Sequence, residues 1–249
     1  MNFLVLDTST ELMSVGVSRG RDAQQWLHSG AGGAQASNSL IATILDLMAQ
    51  AQLTFADLSA IGFGCGPGSF TGLRTACSVV QGLAFGAKVP VLPVDSLLVV
   101  AEDARHSAFA ASSQLEVTAL LDARMDEMYT ARYAYDSGVW QCLQEASLLR
   151  PEALAPATGA ALWAGNVFGV YADRLAPMLQ ASPKVQCVPA MPTAAALLRL
   201  APGLMAQGQS VPADHALPTY IRDKVAKTTV ERMAEKAAVQ LASAQAHGG

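Results

Sequence analysis

Residues 3–17 read FLVLDTSTELMSVGV, and residues 117–135 read VTALLDARMDEMYTARYAY. Each stretch is an apolar run that closes on an aspartate, Asp7 or Asp122, and then turns into a second run with strand-like patterning. An antiparallel strand pair with a carboxylate at its turn thus occurs twice, and the sequence around each copy extends the likeness. After the first copy come a strand at QQWLHSG (24–30), a helix over about 37–52 with Ser37 or Asn38 as cap, and a strand at AIGFGC (60–65). A glycine-dense loop, a helix over about 70–87, a strand at VPVLPV (89–94) and a helix over about 96–105 complete the order βββαβαβα. The second copy continues with strand VWQCLQEASLL (139–149), a short helix at PEALAP (151–156) and strand LWAGN (162–166). A helix near 171–179, strand VQCVP (185–189) and helix TAAALLRLAPGLMAQ (193–207) repeat the same order. The expectation is an α/β protein of two similar lobes, 1–108 and 109–215, facing one another with both aspartates at a shared cleft. Residues 216–249 are expected to pack back as an extended stretch and a charged helix with a disordered end. Arg222, Lys224, Lys227, Arg232 and Lys236 in this region are interleaved with Asp223, Glu231 and Glu235, the pattern of a solvated helix face rather than an RNA footprint.

Composition narrows the function classes. The chain has 249 residues, of which 51% are hydrophobic and only 14% charged, so it can bury a large core and still leave apolar surface to be covered. A net charge of −4 exerts no general pull on polyanions. Aromatic residues at 6% are too few to suggest a base-stacking platform. Cys65, Cys77, Cys142 and Cys187 form no CxxC pair, and His28, His106, His215 and His247 show neither HExxH nor HxxxH spacing, so no metal site is expected. With no signal-like N-terminus and no unbroken apolar run of bilayer length, a cytosolic location is expected.

Residues 62–74, GFGCGPGSFTGLR, invite a phosphate-binding reading. A Walker A loop needs GK followed by Ser or Thr, but Gly68 and Gly72 precede Ser69 and Leu73, and no lysine occurs before Lys88. A GxGxxG fingerprint begun at Gly62, Gly64 or Gly66 ends on Pro67, Ser69 or Thr71. A nucleophile elbow fails because Ser69 is flanked two residues away by Pro67 and Thr71. What remains is a strand-to-helix turn whose glycines permit positive φ and close backbone approach, with Ser69 or Thr71 as helix cap. An anion at that N-terminus is physically permitted and nothing more.

The neighbouring helices are more informative. TACSVVQGLAFGA, between Arg74 and Lys88, carries no charge, and from Ser29 to Gln52 only Asp46 is charged. A surface helix ordinarily shows a charged stripe. Their absence points to a second buried face at Leu40, Ile44 and Leu47 on the first helix and Thr75, Ala76, Val79, Gly82 and Leu83 on the second, packed by another subunit. The alternative is that both helices lie inside one large core.

GPGSFTGLR (66–74), LVLDTST (4–10), LLDARMDEMY (120–129) and PTYIRDKVA (218–226) together resemble the bacterial TsaB (YeaZ) family. The signature loop is carried by Gly66, Pro67, Gly68, Ser69, Phe70, Thr71, Gly72 and Arg74. The resemblance implies the two-lobed, actin-like ATPase fold of the acetate kinase, Hsp70 and actin superfamily. It also implies a subunit of the complex that installs threonylcarbamoyl on the adenosine next to the anticodon of tRNAs reading codons that begin with A. In that family the protein is a non-catalytic paralogue of TsaD, pairs with TsaD or with itself through the first two helices, and helps to dock the ATPase subunit TsaE. Its contact with tRNA is through the complex. ATP and metal are expected on TsaD, with no cofactor on the isolated chain. The segment AQASNSLIA (34–42) lacks the metal-binding histidines of TsaD, in keeping with that loss. Asp7 and Asp122 stand where active kinases of the superfamily handle magnesium phosphate, but neither DTSTE nor DARMD has the glycine such hairpins carry. A self-sufficient kinase or ATPase using these aspartates is the competing reading, and a peptidase is a third with no histidine pair or elbow serine behind it.

Overall fold

A computed structural model describes residues 1–20, 24–32, 36–157, 159 and 161–222. The proposed charged helix beyond residue 222 lies outside the described residues. Ten strands form two five-stranded sheets. In the first, β1 (Phe3–Asp7), β2 (Leu12–Arg19), β3 (Gln24–Ala31), β4 (Ala60–Gly66) and β5 (Val91–Asp95) run in the order β3-β2-β1-β4-β5. β6 (Gln114–Asp122), β7 (Met128–Asp136), β8 (Val139–Leu149), β9 (Ala161–Gly165) and β10 (Val185–Pro189) repeat it as β8-β7-β6-β9-β10. Within each sheet the first three strands form an antiparallel meander and the last two join in parallel, so the duplication inferred from the two aspartate units is a duplication of topology.

Every residue of β1 is buried, because helices cover both faces of its sheet. Leu4 and Leu6 point toward α1 (Ala36–Gln50) and α2 (Phe70–Ala87), packing with Phe63, Ile44 and Val80. Phe3 and Val5 point the other way, where α6 (Ala194–Ala206) from the far end of the chain packs Leu197 and Leu198 with them. The β2 positions facing α6 are kept small. A Cβ on Gly16 would press on Ala194 and Leu198, and Ser14 Oγ accepts the Ala194 amide at 2.8 Å. In reciprocal fashion α3 (Ser96–Phe109), which follows the first sheet, packs Leu97, Val100, Ala101 and Ala104 with Val117, Ala119 and Leu121 of the second. The division at residue 108 therefore separates the strands but not the packing: each sheet is covered by a helix of the other repeat.

The repeats differ on their outer faces. The first is covered by α1 and α2; the second by α4 (Val167–Val170) and α5 (Ala172–Gln180), where Val167, Tyr171 and Leu175 meet Leu120 and Trp163. The helix expected at 151–156 is a single 3-10 turn, Pro151–Ala153. Proline at its first position is tolerated, but a further proline five residues on leaves no room for α-helical turns. α1 begins at Ala36, so Ser37 and Asn38 both lie within its first turn and neither is at the cap. Ser69 caps α2, accepting the Gly72 amide, and Lys88 ends the helix in the left-handed conformation at φ 57°.

Candidate functional site

The glycine loop is built around the turn after β1. Ser69 N donates to Ser9 O at 2.7 Å, and Thr8 Oγ1 donates to Gly72 O at 2.7 Å. A Cβ on Gly72 would overlap the Thr8 carbonyl oxygen, and one on Gly68 would crowd the Ser9 backbone. Gly66, at φ +121°, needs a conformation that other residues adopt only with strain, and a Cβ there would overlap the Thr219 carbonyl oxygen. The glycines therefore serve close approach between three backbone segments of the same chain.

Asp7 does not reach the cleft. Its carboxyl is fully buried, with Oδ1 accepting from Ser9 N at 2.8 Å and Ser9 Oγ at 2.7 Å, and Oδ2 from Ser96 Oγ at 3.4 Å. Burial pushes its pKa up to about 7 against the pull of the Ser9 bonds. A Cβ on Gly64 would overlap Oδ2, so β4 supplies the room that the carboxyl occupies. Asp122 makes the equivalent turn, accepting from Arg124 N at 2.9 Å, and is also bonded by Tyr171 OH at 2.7 Å. Unlike Asp7, it lines the interlobe cleft, a space of about 450 Å³ shared with Ser9, Ser69, Phe70, Arg124, Tyr129 and Tyr220. The expected pair of facing carboxylates is thus a single one. The first is turned inward because its turn amide and hydroxyl bind it inside the lobe.

A segment that sequence patterning marks only as extended crosses this cleft. Ala216 O accepts from Gln81 Nε2 at 2.8 Å, and Thr219 N donates to Cys65 O at 2.7 Å, fastening it to the first lobe. Tyr220 packs on Phe70 with ring centroids 5.3 Å apart and accepts from Arg74 Nε at 3.1 Å, while Arg74 lies over the Phe70 ring at 3.8 Å. Arg222 reaches the second lobe, donating to Glu127 Oε2 at 2.6 Å and to Arg124 O at 3.3 Å. PTYIRDKVA is legible as a motif, but its position across the cleft is not, because nothing local in the sequence says where an extended segment docks.

Outside the cleft, α1 and α2 enclose a shallow groove of about 460 Å³ lined by Leu40, Phe70, Thr71, Arg74, Thr75, Ser78 and Val79. Four of the residues assigned to a partner surface belong instead to the chain's own core: Leu40, Ile44, Leu47 and Ala76 are all less than 5% exposed. They form the inner row, packed on Leu4, Leu6 and Phe63. Thr75, Val79 and Leu83 are half-buried and Gly82 is exposed. Sequence patterning misses Ile41, Leu45 and Phe85, which are 45%, 52% and 80% exposed. Both rows of α1 are apolar, so periodicity alone does not orient it; the available signal was the excess of apolar positions over what one buried stripe needs.

Among the described residues, no group of three or more His, Cys, Asp or Glu side chains is placed to hold a metal ion, and no helix is long and apolar enough to cross a membrane. Two sheets of identical order, each followed by a helix that packs under the other, with a cleft between them, define a two-lobed protein of actin-like ATPase fold. A family model described as "TsaD: tRNA N6-adenosine threonylcarbamoyltransferase" matches residues 23–230. The "tRNA threonylcarbamoyladenosine biosynthesis protein TsaB" of Escherichia coli K12 is 29% identical over 233 residues, covering 91% of this chain and 96% of the relative. The protein of the same name from Haemophilus influenzae is 36% identical over 135 residues, covering 52% of each chain. The solved structure "YeaZ from Pseudomonas aeruginosa" has a TM-score of 0.74 at 34% identity and covers 88% of this chain and 99% of its own. The chain belongs to the TsaB (YeaZ) family.

Proposed function

We propose that this chain is a scaffold subunit in tRNA threonylcarbamoyladenosine biosynthesis, docking through the outer face of α1 and α2 onto a TsaD-type subunit that performs the transfer. The observation behind this is the apolar outer row of Ile41, Leu45 and Phe85, exposed on the first repeat in the lone chain, with half-buried Val79 beside it. Its cleft serves the scaffold better than chemistry of its own: Asp7 is enclosed, Asp122 is bonded by Tyr171 and Arg124, and residues 219–222 form one wall. In this assignment ATP, metal and the reacting groups sit on the TsaD-type partner, the ATPase subunit TsaE joins the complex, and tRNA is met through the complex.

The test uses Leu45→Glu and Val79→Glu, which set a charge into the apolar docking face at a cost of several kcal/mol in the complex. Mixed with the TsaD-type subunit, the parent is expected to elute as a heterodimer by light scattering and the variants as separate chains. The melting temperature of Leu45→Glu should stay within about 2 °C of the parent, since Leu45 is 52% exposed in the lone chain, whereas Val79→Glu, half-buried against the core, should melt somewhat lower while remaining folded. Ala76→Arg does not serve this purpose, because Ala76 is wholly inside the lobe and its replacement unfolds the chain instead. Assembly of both Glu variants at parental affinity would remove this face as the docking site.

A further inference from the structure

We infer that the segment 219–222 is a tie that couples the α1/α2 groove to the interlobe cleft, so that a change at either is transmitted to the other. Phe70 lines both places, and Arg74 lines the groove beside it. They line the groove on its outer side, and on the inner side they hold Tyr220, which lines the cleft. Two residues further on, Arg222 grips the turn between β6 and β7 in the opposite lobe through Glu127 and the Arg124 carbonyl. This turn is itself under local constraint: Arg124, Met125 and Asp126 have φ of 60°, 55° and 62°, and it is closed by Ala123 N donating to Glu127 O at 2.9 Å. Consecutive non-glycine residues in the left-handed region persist only where surrounding contacts hold them. Among the described residues, Arg222 is a direct link between that turn and the segment anchored on Phe70 and Arg74.

The physical consequence is a short mechanical chain with two ends. Anything that packs into the groove against Phe70 and Arg74 stiffens or displaces Tyr220, shifting Arg222 and with it the turn that frames Asp122 across the cleft. Coupling of this kind is reciprocal, so an occupant of the cleft would alter the groove by the same factor. It requires nothing about the identity of the occupant, and it stands whether or not the docking assignment above is correct.

Hydrogen exchange of the full chain, without partner, tests it at the Ala123 and Glu127 amides. Arg222→Ala, which cuts the tie at the turn, and Arg74→Ala, which cuts it at the groove, should each raise exchange there about fivefold or more. The double variant should exchange no faster than either single one, because both cut the same chain. Tyr220→Phe, which removes only the bond from Arg74, should give a smaller rise in the same place, and Val79→Ala on the groove but off the tie should give none. Parental exchange at the turn in Arg74→Ala, additive effects in the double variant, or an equal rise in Val79→Ala would each overturn the coupling.

Discussion

Asp7 ends β1 with its carboxyl enclosed by Ser9, Ser96 and the bare backbone of Gly64. Burial holds its pKa near 7, well above the usual carboxylate value, so the folded chain keeps a proton that the unfolded chain releases near pH 4. The group therefore costs nothing below about pH 4, and stability falls as pH rises through the window up to about 7, by at most about 1.4 kcal/mol per pH unit. Asp7→Asn removes the titration while keeping an acceptor for Ser9 and offering a donor to Ser96. Urea unfolding at several pH values should show the variant gaining on the parent steadily between about pH 4.5 and pH 7 and levelling off above that; a constant difference from about pH 4.5 to pH 7 would mean that Asp7 is ionised throughout. That this aspartate is a structural acid was not readable from DTST, which is equally consistent with a carboxylate aimed at phosphate. Ser9 holds the carboxyl from within the turn, but the room it occupies is left by Gly64, on a strand more than fifty residues away.

Among the elements, α2 was legible almost to the residue, because Ser69 caps it and Lys88 closes it within a stretch free of proline. The outward side of α1 was not, since Leu40, Ile41, Ile44 and Leu45 are all apolar and only the packing against Phe63 and Leu6 chooses between the two rows. α3 and α6 are joined by a side-chain cluster that no motif announced. Glu102, 2% exposed, accepts from Arg105 at 2.8 and 2.9 Å, from Arg199 on α6 at 2.7 Å and from Trp140 on β8 at 3.1 Å. Burial alone would raise the Glu102 pKa, but the two arginines outweigh it and hold the carboxyl below the usual range. Glu102→Gln would leave two guanidinium groups facing a neutral amide in a largely buried setting, and a loss of about 3 kcal/mol is expected by chemical denaturation. The charge-neutral double replacement Glu102→Met with Arg199→Met should recover part of that loss; no recovery would show that shape, not charge pairing, is what the cluster contributes.

At the scale of the whole molecule, exchange of α3 and α6 makes the two repeats interdependent. A fragment ending at residue 112 would keep all five strands of the first sheet but lack α6, exposing Phe3, Val5, Leu92 and Val94 on one face. Such a fragment is expected to aggregate or to lack a cooperative melting transition, whereas co-expression with residues 113–249 should restore a soluble complex. A soluble, cooperatively melting fragment on its own would mean that the first sheet closes its core without the second repeat. By itself, the sequence determined the duplicated strand order, the helix-capping turn in the signature loop and the family, because these are written in local periodicity and in residue types at short spacing. Only the tertiary structure decided that Asp7 turns inward, which row of α1 faces out, where the 216–222 segment crosses the cleft, and which helix covers which sheet. Each of those depends on surfaces contributed by residues distant in the chain, and a buried contact is favourable only when both of its halves are present.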